Sequence, residues 1–147
     1  MSLTIDAPRA KTPAKKRTNW EKWGWVYMRV SGVLLIVLVF GHLFSNLMIG
    51  DGVHAIDFGF VGGKLSQPFW KVWDTLLLWL ALIHGANGMR TIVNDYVTRP
   101  RLAQGFKVAL FLSAALLILL GTFVIYTLDP CPAGADPALV ASFCPTP

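Results

Sequence analysis

Three long stretches without Asp, Glu, Lys or Arg decide what this chain can fold into. They are Val30–Ile49, Thr75–Met89 and Val108–Leu128. With their weakly polar flanks each reaches about 20 residues, enough at ~1.5 Å rise per residue to cross a hydrocarbon layer of ~30 Å. A soluble bundle with apolar core helices is the alternative, but its helices would carry a polar face that these stretches lack. The sequence therefore predicts an all-α membrane protein with three transmembrane helices.

The remainder of the chain is polar and frames this apolar unit. Only 14% of the 147 residues are charged, against about 25% in soluble domains. The polar residues that precede the first apolar stretch are too rich in Pro, Ala and Lys to bury a core. The first apolar stretch itself is too long for a signal peptide. The expected organisation is a basic arm at 1–24, an anchor domain at 25–128 with helices at about 25–49, 70–96 and 106–128, and a tail at 129–147.

Basic residues are distributed unevenly between the connections. Before the first stretch lie Lys11, Lys15, Lys16, Arg17, Lys22 and Arg29, and around the connection between the second and third lie Arg90, Arg99, Arg101 and Lys107. The segment 50–70 contains only Lys64, and no Lys or Arg follows Leu128. Because cytoplasmic connections collect positive charge, the N-terminus is expected in the cytoplasm and the C-terminus outside. Anionic lipid accounts for the net charge of +5 without any nucleic acid.

Both cysteines, Cys131 and Cys144, lie in the expected external tail. An oxidising compartment favours a structural disulfide between them, although two free thiols remain an alternative.

Two of the three histidines are expected deep in the membrane. His42 follows Arg29 by thirteen residues, or roughly 20 Å of helix, and His84 precedes Asp95 by eleven, or roughly 16 Å. An ionisable group at such depth costs a few kcal/mol and needs a partner. One alternative is a neutral imidazole bonded to a neighbouring helix. Two histidines on adjacent helices favour a haem, whose iron binds imidazole and whose macrocycle fits between helices. His54, in the external loop, is expected at the solvated surface.

The neighbours of both histidines are compatible with a haem. Small residues, which leave room for a porphyrin but also promote helix packing, are Gly41 and Ser45 near His42, and Gly85, Ala86 and Gly88 near His84. Arg90 has two open interpretations: an ion pair with a haem propionate, or a side chain reaching lipid phosphate.

Helical spacing places polar groups below each histidine. His84, Gly88, Thr91 and Asp95 follow one stripe of the second helix, and Ser31 and His42 share a face of the first. This arrangement suits electron transfer between a redox centre and something docked on the cytoplasmic face.

Two motifs carry a resemblance to a known family. "HGANGMRTIVNDY" resembles the H-x3-G-x6-D-Y signature of the D-type hydrophobic membrane anchor of succinate dehydrogenase, respiratory complex II. "MRVSGVLL" resembles the R-x-S-G opening of complex II anchor chains. The match covers the three helices and both motifs, and it leaves out the arm, the external loop and the tail.

The resemblance implies roles for six residues. His84 matches the axial ligand of haem b. Asp95 and Tyr96 match a pair at the quinone pocket, where the tyrosine hydroxyl bonds a quinone carbonyl, and Arg29 and Ser31 match positions near it. His42 exceeds what one haem needs, so the chain resembles the two-haem, actinobacterial kind, in which His84 would serve the haem nearer the cytoplasm and His42 the other. Menaquinone is the quinone usual for that kind.

The resemblance also implies partners. The chain would be a non-catalytic anchor and electron-transfer subunit, without a flavin or iron–sulfur site of its own. It would share haem b with a cytochrome b-type sister chain and dock the iron–sulfur and FAD flavoprotein subunits, in a complex open to higher oligomers such as a trimer.

Three alternatives stay open. The chain could anchor a quinol:fumarate reductase, since the sequence does not set the direction of electron flow. It could be a membrane assembly or transport subunit that uses its histidines for hydrogen bonds or proton relay. The quinone could also bind near the external loop Gly50–Trp70.

Overall fold

The computed structural model describes residues 19–50, 52–134, 136, 138 and 144. The expected basic arm lies almost entirely outside these residues. Four α-helices follow one another: α1 (Trp20–Leu47), α2 (Phe58–Leu65), α3 (Pro68–Tyr96) and α4 (Pro100–Thr127), with a 3₁₀ turn at Gly52–Ala55 after α1. No strand occurs among the described residues. The all-α prediction is therefore confirmed.

Three of the helices are long and apolar enough to cross a membrane. The candidate spans are Lys22–Leu47 within α1, all of α3 and all of α4, with 26, 29 and 28 residues. At ~1.5 Å per residue each exceeds the ~30 Å hydrocarbon thickness. The prediction of three spans is confirmed. We call the end with the start of α1 and the α3–α4 connection the basic end, and the opposite end the α2 end.

The helices begin earlier than the apolar stretches suggest. α3 and α4 start at Pro68 and Pro100, each a proline in the first turn, where its fixed φ and missing N–H are tolerated. α1 starts at Trp20, five residues before the expected position. Apolar composition marks only the lipid-buried part of a helix, and a span continues through the headgroup region where tryptophans are common.

α3 is the central helix, packed against α1, α2 and α4. Two glycines allow these close approaches. A Cβ on Gly121 of α4 would lie 2.6 Å from Leu78 Cδ2, and a Cβ on Gly41 of α1 would lie 2.6 Å from Trp73 Cζ2. Small residues bring helix backbones together in membranes. The glycine next to His42 is therefore used for packing α1 on α3.

Most large apolar side chains face outward. Phe111 and Leu119 of α4 are 72% and 69% exposed, and the described hydrophobic core is limited to Leu38, Leu65, Val93 and Ala103. In water so large an apolar surface would cause aggregation. The exposed surface is suited to lipid and to the helices of another subunit.

The segment after α1 folds back over the end of that helix. Gly52 has φ +61°, and a Cβ there would lie 2.7 Å from the Leu47 carbonyl oxygen, so only glycine fits. Asp57 then caps α2, its carboxylate accepting the Phe60 N–H at 2.8 Å. The loop 50–70, expected without secondary structure, therefore contains an ordered helix that closes the α2 end.

Cys131 and Cys144 form a disulfide after α4. The predicted pairing is confirmed, and it closes the tail into a loop beyond the last membrane span.

Candidate functional site

His84 is held by a serine on the neighbouring helix. Its Nδ1 lies 2.8 Å from Ser31 Oγ, and Ser31 is the most buried side chain described, at 1% exposure. His84 Cε1 also lies 3.6 Å from the position that a Cβ on Gly32 would take. α1 therefore presents a buried hydroxyl and a flat glycine surface to the imidazole of α3.

The hydrogen bonds of Ser31 determine which imidazole nitrogen is free. The Ser31 hydroxyl donates its single proton to the Tyr27 carbonyl oxygen at 2.6 Å. Its oxygen must then accept from His84, so the proton of the neutral imidazole sits on Nδ1. The lone pair of His84 Nε2 is left available to a metal ion.

His42 has a comparable arrangement with a carboxylate. Its Nδ1 lies 3.2 Å from Asp74 Oδ1 on α3, and the side chains of His42 and Asp74 are 41% and 24% exposed. An ionised carboxylate only accepts hydrogen bonds, so Nδ1 carries the proton and Nε2 is again free. A histidine that donates one nitrogen to a carboxylate while the other binds metal is a common motif of metalloproteins.

The two histidines occupy different levels of the same helix pair. His84 lies beside Ser31, and His42 is eleven residues further along α1, which corresponds to about 16 Å along the axis. His84 is thus nearer the basic end and His42 nearer the α2 end. The sequence allows only a count of residues from Arg29 to His42 and from His84 to Asp95, and that count does not show which histidine is nearer which end.

A lysine joins the group around His42. The Lys64 ammonium of α2 donates to Ser45 Oγ at 3.0 Å and to Asn46 Oδ1 at 2.8 Å, and it lies 4.2 Å from the Trp70 ring centroid. Burial lowers the pKa of Lys64, and the negative charge of Asp74 partly opposes that shift. Lys64 therefore fixes α2 onto the last turn of α1 and brings positive charge near Asp74.

These residues line a cavity of about 430 Å³ at the α2 end. His42, Asn46, Lys64 and Asp74 supply its polar groups, and its apolar walls are Leu43, Leu47, Ile56, Phe60, Val61, Leu65 and Ile125. Few polar groups among apolar walls are typical of sites for small apolar ligands.

The residues predicted for the quinone pocket share no hydrogen bond or ion pair in the described part of the chain. Tyr96 is 80% exposed, Asp95 is exposed, and the Arg29 guanidinium stacks 3.6 Å above the Trp25 ring. Ser31, the fourth member, contacts His84. Arg90, predicted to pair with a haem propionate, is exposed on α3.

The predicted stripe on α3 is in contact with α1 along part of its length. Gly88 lies against α1, where its Cβ would be 3.7 Å from Met28 Cε. Thr91 and Asp95 are exposed beyond it. The end of the stripe is therefore open to another molecule.

Sequence reasoning missed Asp74 and Lys64. The charge-free stretch Thr75–Met89 begins one residue after Asp74. Because the stretch is defined by the absence of charge, it leaves out the carboxylate that bonds His42. Asp74 can be located from the sequence only once one contact between α1 and α3 is known. α1 and α3 are antiparallel, and Ser31 and His84 lie at the same level. The residue eleven positions after Ser31, His42, therefore faces a residue about eleven positions before His84, which is close to Asp74.

In the part of the chain that the structure describes, two buried polar atoms have no hydrogen-bond partner, and they test whether the residues fit a haem. They are the Tyr27 hydroxyl, one turn from Ser31, and the Trp73 Nε1–H, beside Asp74. A buried donor without an acceptor is costly, and the carboxylates of a haem would supply acceptors at either level. With an imidazole whose Nε2 is free at each level, the residues present fit one haem at each of them.

Fold and site together define a class: a three-span helical membrane protein with one histidine on each of two adjacent helices. The family model described as the succinate dehydrogenase/fumarate reductase transmembrane subunit matches residues 6–130. The chain belongs to this family, and it is a multi-pass membrane protein.

A curated relative agrees with this assignment. The chain is 31% identical over 75 residues to the "Succinate dehydrogenase hydrophobic membrane anchor subunit" of Archaeoglobus fulgidus. The alignment covers 51% of this chain and 62% of the relative's length. The family resemblance found in the two motifs is thereby confirmed.

Proposed function

We propose that this chain is the D-type membrane anchor of a succinate:quinone oxidoreductase, and that it contributes one axial histidine to each of two haems b. The sister anchor chain provides the second ligand of each. The iron–sulfur and FAD flavoprotein subunits dock at the basic end, and electrons pass from succinate to menaquinone or another quinone.

The observation that carries this proposal is the pair of imidazoles at separate levels, each with Nδ1 held and Nε2 free. About 16 Å along α1 separates them. A single haem cannot use both, because one iron takes its axial ligands at one level. A proton-relay or assembly role would not require the same nitrogen to be free on both rings.

Each chain residue has a defined task in this proposal. Ser31 orients the His84 ring by accepting its Nδ1–H, and Tyr27 and Trp73 would donate to propionates from their unpaired groups. Arg90 is exposed near the basic end and remains a candidate for a further propionate pair. Bound haem b supplies one-electron transfer between the docked subunits and the quinone.

We assign the basic-end quinone site to Tyr96, Asp95 and Arg29, as the family motif implies. Their exposure in the isolated chain means that the pocket needs walls from the sister and iron–sulfur subunits. Tyr96 would donate its hydroxyl to a quinone carbonyl, and Asp95 would orient it or relay protons. Ser31 was predicted for this pocket too, but its oxygen is occupied by His84, so we assign it to the imidazole.

The cavity at the α2 end favours a second location for the quinone. Its apolar walls and volume of about 430 Å³ suit a small aromatic head group. Substitutions at Tyr96 and at Lys64 would distinguish the two quinone sites, because Tyr96 lies at the basic end of the helix bundle and Lys64 at the α2 end.

The haem content of the purified intact complex tests the proposal. A pyridine haemochrome assay should give about two haems b per copy of this chain, one for each free imidazole nitrogen. A value near one haem per chain would mean that His42 only forms a hydrogen bond between helices and binds no haem. A complex that is folded and contains no haem contradicts the proposal and favours an assembly or transport role.

Replacing Tyr96 with phenylalanine tests the basic-end quinone site. Losing one hydrogen bond worth about 1.4 kcal/mol should lower quinone-linked activity about tenfold, while succinate oxidation by an artificial dye continues. Tyr126→Phe is the matched control, since Tyr126 is exposed on α4 near the α2 end. A parallel fall of both activities would indicate defective docking. Unchanged quinone-linked activity would instead move the site to the α2 end.

A further inference from the structure

The histidine near the α2 end differs from the other in the charge of its partner. His84 donates to a neutral hydroxyl, Ser31, whereas His42 donates to the carboxylate of Asp74. The partner of a metal-binding imidazole tunes the metal, because a stronger acceptor on Nδ1–H increases the electron density on Nε2. The two levels therefore have different electronic environments.

The surroundings of Asp74 compensate its negative charge only in part, which points to a functional role for that charge. It lies in the second turn of a membrane span, where an isolated carboxylate costs a few kcal/mol. Its compensation is modest: the His42 Nδ1–H and the nearby positive charge of Lys64. Lys64 itself is directed mainly to Ser45 and Asn46. A neutral asparagine or serine could accept the same hydrogen bond from the imidazole at a lower free-energy cost of burial in the membrane.

We infer that Asp74 is a positioning residue for the haem ligated by His42: it fixes the His42 tautomer and stabilises the oxidised iron. The inference rests on the proposed function, because it needs a haem at His42. Asp74 acts through the imidazole and touches neither substrate nor quinone. Its negative charge favours the ferric form of that haem over the ferrous form, since ferric haem carries one more positive charge in a low-dielectric site.

Redox titration of the intact purified complex, followed by visible absorption and by electron paramagnetic resonance, tests the inference. In Asp74→Asn the ferric-to-ferrous equilibrium of one haem should shift about tenfold toward the ferrous form, or about 59 mV for a one-electron couple. The other haem should keep its potential. Asp74→Glu retains the carboxylate and should restore most of the wild-type potential. Asp129→Asn, which removes an exposed carboxylate beyond α4, should shift neither haem.

His42→Ala separates failure of the inference from failure of the proposed function. If His42→Ala leaves the haem content unchanged, no haem is ligated there and the proposed two-haem function fails. If His42→Ala removes one haem but Asp74→Asn leaves both potentials and both resonance signals unchanged, the inference alone is overturned. An equal shift of both haems in Asp74→Asn also overturns it, because Asp74 would then act on the whole bundle.

Discussion

Under the proposed function, replacing His84 with alanine should remove one haem b from the purified complex and leave the other in place. The reason is the free Nε2 of an imidazole whose Nδ1 is fixed by a buried serine. Alanine provides no iron ligand, and the haem near the basic end loses its attachment to this chain. Quinone-linked turnover should fall by about 100-fold or more, the scale on which losing even a ligand's supporting partner acts.

The matched control is His54→Ala, because His54 is exposed in the 3₁₀ turn after α1. It should change neither haem content nor activity. The haemochrome assay and low-temperature absorption spectra measure both variants. An unchanged spectrum in His84→Ala would contradict the ligand assignment, and loss of both haems would indicate that the complex had not assembled.

Replacing Gly41 with leucine should destabilise the bundle more than any other glycine substitution on α1. A Cβ alone would lie 2.6 Å from Trp73 Cζ2. Trp73 cannot easily move away, since its ring packs against Phe69 and Trp70 at centroid distances of 5.7 and 6.3 Å. Overpacking of this kind costs about 3 kcal/mol. It should also separate His42 from Asp74, which are the next residues along each helix.

Thermal unfolding of the purified complex, followed by circular dichroism and by haem absorbance, measures the effect. The Tm of Gly41→Leu should fall, and the haem at His42 should be lost before the haem at His84. Gly105→Leu is the control, because a Cβ at Gly105 meets no atom within 4 Å. Equal stability of the two variants would show that the Trp73 indole moves aside without cost.

The helices could be predicted from the sequence because lipid imposes a simple rule. A span must satisfy its backbone internally and expose apolar side chains, so charge-free stretches locate α1, α3 and α4 directly. Their ends were less predictable, since α3 and α4 begin at Pro68 and Pro100, before the expected starts at about 70 and 106. Counting residues along a helix also placed His42 and His84 within α1 and α3, two of the candidate spans, whereas their depth in a membrane stays a prediction.

The partners of the histidines could not be predicted in the same way. Which residue of α1 meets which residue of α3 depends on how the helices are shifted along each other, and periodicity within one helix carries no such information. The motif therefore associates Ser31 with a quinone and gives no indication of Asp74. Tyr96 and Asp95 remain predictions, because both side chains are exposed in this chain.

The two polar contacts between α1 and α3 also bear on how the chain assembles. Lipid offers little resistance when two apolar helices slide lengthwise past each other, so packing alone leaves their axial alignment poorly defined. Hydrogen bonds at two levels, Ser31 to His84 and His42 to Asp74, select one alignment, much as a buried asparagine selects one register in a coiled coil. A shift of one helical turn would break both. The spacing of the two imidazoles is thus set by the protein itself, and under the proposed function haem would insert into a preformed frame.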